Sequence, residues 1–242
     1  MNRFFLFLLL FLLGSSLGSF LHAYALRIVN ARESILNPSK CRFCKKKLTS
    51  AELIPIISWL LQGGRSKCCN KKLAWSYLLA ELFLAIAYPL IFCFLPIEIA
   101  IYFSVLISLL LFSFLTDAYF QVLHLPMIFL MGCVGVLFNL SEIHDFYFSL
   151  LGGLVGFILL WGINKVYVLF RKKEGFGGGD KYLLGAIGLW VGPMKVIAIF
   201  FVASWVGSIY AFFMIWQKRA SLKAALPLGV FLSIATPIIF LI

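Results

Sequence analysis

The sequence predicts an all-α, polytopic membrane protein, and three observations predict it. Apolar residues make up 63% of the 242 residues and charged residues 12%, against about 45–50% and about 25% in soluble domains. Windows of about 20 apolar residues recur along the chain, the length that crosses a bilayer as a helix. Most of the basic residues sit in a few segments between those windows rather than being scattered. A soluble fold of this size cannot hide so much apolar surface.

Taken in order, the windows are Phe4–Leu26, Ser76–Leu95, Ile97–Thr116, Val122–Leu140, Phe146–Phe170, Val196–Trp216 and Pro227–Ile242. Tyr182–Val191 is about half the needed length and reads as a short helix supported by protein rather than lipid. Counting it gives about eight transmembrane helices, with one large loop, residues 27–75, after the first.

The charge balance is 21 basic to 9 acidic residues, a net +12. In a soluble protein this would suggest nucleic acid. Here the position of the charges explains it. The loop holds Arg27, Arg32, Lys40, Arg42, Lys45, Lys46, Lys47, Arg65, Lys67, Lys71 and Lys72. Two further basic groups are Arg171–Lys173 and Lys218–Lys223. Alternating sides from span to span puts all three on one face, which the positive-inside rule makes cytoplasmic. Arg3, Lys195, Glu142 and Asp145 fall on the other. The excess charge is therefore topology, with no nucleic-acid partner, and basic juxtamembrane loops favour anionic lipid. The first span partly fits a cleaved signal peptide, with Arg3, an apolar run and small residues at Gly14–Gly18. Cleavage there would export the most basic loop, against the charge rule.

The chain has three aspartates, Asp117, Asp145 and Asp180. Asp117 follows the third span and Asp180 precedes the short sixth, so both lie at the cytoplasmic membrane surface. Ionisable groups near hydrocarbon are expensive and are functional suspects by default. The structural alternative is a solvated carboxylate, or, for Asp180, a helix N-cap. Asp180 ends the run Gly175-Phe176-Gly177-Gly178-Gly179. Backbone without Cβ lets another chain approach closely, and its free N–H and C=O groups can hold an extended peptide. Two carboxylates sharing a proton supply an acid and a base from one residue type. A glycine run is equally a flexible linker.

At this point the residues resemble the bacterial type IV prepilin peptidases, membrane aspartyl proteases with a GxGD motif. The match runs through Gly177-Gly178-Gly179-Asp180 into Leu183-Leu184-Gly185-Ala186-Ile187-Gly188, and Asp117 in Leu115-Thr116-Asp117 stands at the family's first catalytic Asp. Gly18-Ser19-Phe20-Leu21 with Arg27 is similar to the family's opening signature. Ile54–Leu60, then Trp75-Ser76-Tyr77 with Glu81, resemble its basic-loop region, and Leu226-Pro227-Leu228-Gly229 its final-span signature. Two features depart from the pattern. The usual Pro-Asp pair after the first Asp is replaced by Leu123-His124-Leu125-Pro126, and the usual lysine after the second Asp by Tyr182, with Lys181 one residue early. His124 is either a polar neighbour of the dyad or an interfacial side chain.

Six cysteines complete the inventory. Cys93 and Cys133 fall inside spans and read as packing residues. Cys41, Cys44, Cys68 and Cys69 lie in the basic loop, where a reducing compartment disfavours disulfides. Four thiolates in two clusters suit a structural tetrahedral Zn²⁺, which would fold a loop with little core of its own. The family carries two CxxC pairs here, and Ser66 stands where the first cysteine of the second pair would be. Adjacent Cys68 and Cys69 are expected to ligate together only with a strained backbone. The alternative is a loop without metal, held by packing.

The resemblance implies an enzyme in the cytoplasmic membrane that cuts the basic leader from prepilins or pseudopilins in the same bilayer. Asp117 and Asp180 would be catalytic, with Gly177 and Gly179 admitting substrate backbone. It further implies methylation of the new N-terminus with S-adenosylmethionine. No glycine-rich nucleotide fold is visible for that cofactor, and Glu81, the acidic group buried in the second span, is the residue of interest. The expected division is an N-terminal region, 1–95, and a peptidase region, 96–242. The rival readings are a transporter with Asp117 and Asp180 as ion sites and a catalytically dead scaffold of a secretion or pilus machine.

Overall fold

The computed structural model describes residues 3–30, 38–140, 146–172, 177–217 and 226–242. The expected outer turn with Glu142 and Asp145 lies outside these, as do Arg32, Lys173, Gly175, Phe176 and the Lys218–Lys223 group. The described residues are helical, with isolated bridges and no strand among them. The helices are α1 (Arg3–Asn30), α2 (Ile57–Leu61), α3 (Trp75–Phe94), α4 (Ile97–Phe120), α5 (Leu125–Asn139), α6 (Phe146–Arg171), α7 (Asp180–Trp216) and α8 (Leu228–Leu241). Five of them, α1, α3, α4, α6 and α7, are long and apolar enough to cross a membrane. The chain is a multi-pass α-helical membrane protein. It forms two compact units, Met1–Ser108 and Leu109–Ile242.

In the first unit α1 packs on α3 through small residues. A Cβ at Gly14 would strike the Leu84 carbonyl, and one at Gly18 the Ala80 carbonyl. One turn apart, these glycines let the helix backbones touch, as small residues do between membrane helices. The loop is tied to this pair by Glu81 of α3, whose Oε2 accepts the Ile56 backbone N–H at 2.6 Å. The same carboxylate is hydrogen-bonded by the Ser19 hydroxyl of α1. The Trp59 and Trp75 rings pack at 4.6 Å. The segments that carried the resemblance in this half therefore meet at one place.

In the second unit the expected sixth and seventh spans are a single element, α7, of 37 residues. A straight helix of that length would run about 55 Å, far beyond a ~30 Å hydrocarbon core. It is not straight. Gly192 takes φ 80°, ψ 175° and Pro193 follows. Asp180 shares a cavity with Leu228 at the start of α8. Lys195 Nζ, just past the break, donates to the Phe240 carbonyl at the other end of α8. Tyr210 then packs on Phe231, back near the start of α8. The chain therefore reverses at Gly192 into two arms.

Pro193 has no N–H, so the Leu189 carbonyl loses its helical partner. Asn139 Nδ2 of α5 donates to it at 2.9 Å, and Ser149 Oγ of α6 donates as well. Trp190 Nε1 donates to the Met131 carbonyl at 2.9 Å. Gly188 and Gly152 give α6 and the first arm of α7 their close approach, since a Cβ on either would enter the other's backbone. The effect is to fix the first arm, and Asp180 at its tip, against α5 and α6. Of the two cysteines expected to pack inside spans, Cys133 is half-buried and Cys93 is exposed.

Candidate active site

Asp117 lies in the last turn of α4 and Asp180 is the first residue of α7. Both are buried, at 4% and 5% exposure. They line one cavity of about 370 Å³, together with Gln121, Leu123, the Gly177–Gly179 run and Leu226–Leu228. The two carboxyls expected from sequence to work together are thus brought together by the second unit alone.

Each carboxyl is held by backbone N–H groups. Val230, the third residue of α8, donates to Asp117 Oδ2 at 3.0 Å, and Gly229 donates to the same carboxylate. These are free N–H groups of the first turn of a helix, whose positive end favours a negative charge. Asp180 accepts the Gly177 N–H. Asp180 is not an N-cap. Gly179 occupies that position, with φ −81° and ψ −28°, and the Asp180 side chain is left for the cavity.

The glycines divide by role. A Cβ at Gly177 would stand 3.0 Å from Asp180 Oδ2, one at Gly179 would stand 2.9 Å from the Leu123 Cβ, and one at Gly178 meets open space. None of the three has positive φ. At Gly179 the glycine makes room for the Leu123 wall. A Cβ at Gly229 would lie 2.8 Å from Asp117 Oδ2.

Sequence reasoning did not place Leu123, Gln121 or Val230 here. Gln121 takes φ 52°, and its N–H returns to the Asp117 carbonyl at 2.9 Å. This left-handed closure ends α4 just behind the dyad and turns Leu123 into the cavity wall. Nothing in the residue type announces it. His124 does not line the cavity. It precedes α5, edge-on to Phe112 at 6.1 Å, with Nδ1 buried and no partner for it among the described residues. Tyr182 packs on Phe157 at 5.6 Å, with Lys181 Nζ over its ring.

In the first unit the four loop cysteines converge. The sulfurs of Cys41, Cys44, Cys68 and Cys69 all lie within 4.8 Å of one another, without a disulfide. Two matching turns achieve this. The Lys45 N–H returns to the Cys41 carbonyl at 2.9 Å, and the Asn70 N–H to the Ser66 carbonyl at 2.8 Å. Lys45 and Asn70 both have positive φ, 62° and 56°. Ser66 thus stands where Cys41 stands in the first turn, and Cys68 supplies the fourth sulfur from inside the second. The strain expected of an adjacent pair is absent from Cys68 and Cys69 themselves and sits on Asn70, a residue type that tolerates it. Ser66 Oγ contacts Cys41 Sγ at 3.3 Å and Cys68 Sγ at 3.1 Å. Burial raises the Cys41 thiol, but hydrogen bonds from the Cys44 and Phe43 N–H groups, Ser66 and Cys68 hold it at about 6. At Cys68 the Ser66 hydrogen bond lowers the thiol, but neighbouring thiols and burial push it up to about 12. Tetrahedral zinc with sulfurs at ~2.3 Å has its ligands ~3.8 Å apart. The cluster can take such an ion: Cys41 and Cys69 are already at 3.8 Å, and Cys44 and Cys68, at 3.0 Å, would have to move apart.

Residues 12–95 match the Bacterial Peptidase A24 N-terminal domain, and residues 104–212 match the Type IV leader peptidase family. The Prepilin leader peptidase/N-methyltransferase of Bacillus subtilis strain 168 is 32% identical over 221 residues, 90% of this chain and 87% of the relative. The chain belongs to the type IV leader peptidase family. Proteins of the same description from Dichelobacter nodosus and Aeromonas hydrophila are 32% and 29% identical, over 88% and 95% of this chain and 74% and 88% of theirs. No solved structure matches it. The part of the chain that matches the Type IV leader peptidase family contains both aspartates and the glycine run.

Proposed function

We propose that this leader peptidase family member cuts the leader from prepilins or pseudopilins and methylates the new N-terminus. The observation that carries the first activity is the shared cavity of Asp117 and Asp180, lined on one side by the Gly177–Gly179 run. Two backbone N–H groups hold Asp117 and one, from Gly177, holds Asp180, which favours keeping the charge on Asp117 and the proton on Asp180. Asp117 takes a proton from water as it attacks the scissile carbonyl, and Asp180 gives its proton to the carbonyl oxygen. The tetrahedral species collapses as Asp117 returns its proton to the departing amine and Asp180 recovers its own. The substrate helix shares the bilayer with the enzyme, so its cleavage site arrives at fixed depth and high effective concentration.

The enzyme sits in the cytoplasmic membrane with the dyad on the cytoplasmic side, as the positions of Lys and Arg support. Cleavage is assigned to region 96–242, and region 1–95 carries the cysteine loop. Cys41, Cys44, Cys68 and Cys69 would hold a structural zinc, which folds the loop and takes no part in the cut. S-adenosylmethionine would supply the methyl group. The loop cleft of about 350 Å³ beside Glu52, Gln62, Arg65 and Lys67 has charges for its amino-acid end but no aromatic wall for adenine. It does not fit the cofactor. The transporter and scaffold readings are not favoured, because the family match covers both regions. Co-expression with a prepilin tests the proposal: a mobility shift with a mature N-terminus one methyl heavier supports it, and unprocessed prepilin refutes it.

A further inference from the structure

The loop carries an apolar surface outside the aspartate cavity. The helix α2, Ile-Ser-Trp-Leu-Leu, buries none of its five residues. Ile57, Leu60 and Leu61 are exposed, Leu61 at 83%, and Leu53 and Ile54 extend the patch. In water such a run would turn inward or find a partner. The fold instead holds it out. Ile56 takes φ 65°, ψ −58°, a costly conformation for a β-branched residue, and Glu81 of α3 grips its N–H at 2.6 Å.

The depth of the patch is set by α3. Trp59 of α2 packs at 4.6 Å on Trp75, the residue at which that membrane span begins. Tryptophan at the end of a span marks the headgroup level. That contact ties α2 to the end of the span. Around them the loop is strongly basic: residues 38–75 contain Lys40, Arg42, Lys45, Lys46, Lys47, Arg65, Lys67, Lys71 and Lys72 against Glu52 alone. An apolar stripe within a cationic segment is the pattern of an interfacial anchor on anionic lipid. A basic peptide would be repelled from the same surface.

We propose that Leu53, Ile54 and α2 are inserted in the adjacent leaflet, with the surrounding lysines and arginines on anionic headgroups. The loop is then a membrane-lying element rather than a domain projecting into water.

The test places photoreactive p-benzoylphenylalanine at position 57 or 61 of the full chain, reconstituted in nanodiscs. Leader cleavage by each variant shows that it is folded. Irradiation is expected to give lipid adducts at both positions, and replacing zwitterionic lipid with roughly one-third phosphatidylglycerol should raise their yield about threefold or more. Absence of lipid adducts overturns the proposal. So does a yield indifferent to lipid charge. Adducts to a co-reconstituted prepilin or to a second copy of the chain, in place of lipid, overturn it as well and name a protein as the occupant.

Discussion

Asp117 and Val230, 113 residues apart in sequence, are joined by a 3.0 Å hydrogen bond from the Val230 N–H to the Asp117 carboxylate. The first turn of α8 thereby holds one member of the dyad in place. Gly229, between the cap and Val230, is where this arrangement is most easily broken. Gly229→Ala would put a Cβ 2.8 Å from Asp117 Oδ2 and 3.1 Å from Leu123. Its leader-cleavage rate in detergent is expected to fall by roughly tenfold or more, about 1.4 kcal/mol in the barrier, with membrane insertion unchanged. A wild-type rate would mean that α8 does not position Asp117.

The three glycines before Asp180 should separate in the same assay. Gly178→Ala adds a methyl to open space and is expected to be near wild type. Gly177→Ala crowds the Asp180 carboxylate and Gly179→Ala crowds Leu123, so each should lose roughly tenfold in turnover. Leu123→Gly, which removes the Cβ at 2.9 Å, should recover part of the Gly179→Ala loss. Equal, mild effects at all three positions would make the run a hinge.

The cysteine cluster predicts bound metal. Purified protein should contain about one zinc per chain, and a strong chelator should lower its thermal midpoint. Cys69→Ser should abolish binding, whereas Ser66→Ala should leave the metal content intact, since Ser66 contacts the sulfurs without being needed as a ligand. Loss of metal in Ser66→Ala would contradict the assignment of Cys68 as the fourth ligand.

At the reversal of α7, Asn139 and Ser149 satisfy the Leu189 carbonyl that Pro193 leaves without a partner. Asn139→Leu with Ser149→Ala strands that buried acceptor, at about 1–3 kcal/mol. Its thermal midpoint in detergent should fall well below that of either single variant. An additive, small change would mean that the carbonyl is satisfied elsewhere.

The five long spans were legible because membrane helices announce themselves by apolar length, and the pairing of Asp117 with Asp180 in one cavity because aspartate is scarce in such a chain and one copy ends a glycine run. The resemblance also placed Leu226–Gly229 in a final-span signature. What it did not reveal was its use: no periodicity relates the first turn of α8 to a carboxylate more than a hundred residues upstream. The break at Gly192-Pro193 was visible as a weak window, but that the chain reverses there follows from contacts of Lys195 and Tyr210 with α8. At the cysteines, counting spacings suggested strain between Cys68 and Cys69. The backbone relocates it to Asn70, and that choice depends on the turn repeating the geometry of Cys41–Lys45.

The central claim is that Asp117 and Asp180 perform the cut as a pair. The direct measurement is the rate of leader removal from a purified prepilin by Asp117→Asn and by Asp180→Asn, with Glu98→Gln, exposed in the first turn of α4, as the control. Each isosteric change keeps the side-chain volume and removes the ability to carry or share the proton. Both variants should insert and keep the wild-type thermal midpoint while cleavage falls by at least about a thousandfold, and the control should cut normally. Cleavage within about tenfold of wild type in either aspartate variant would contradict the aspartyl mechanism.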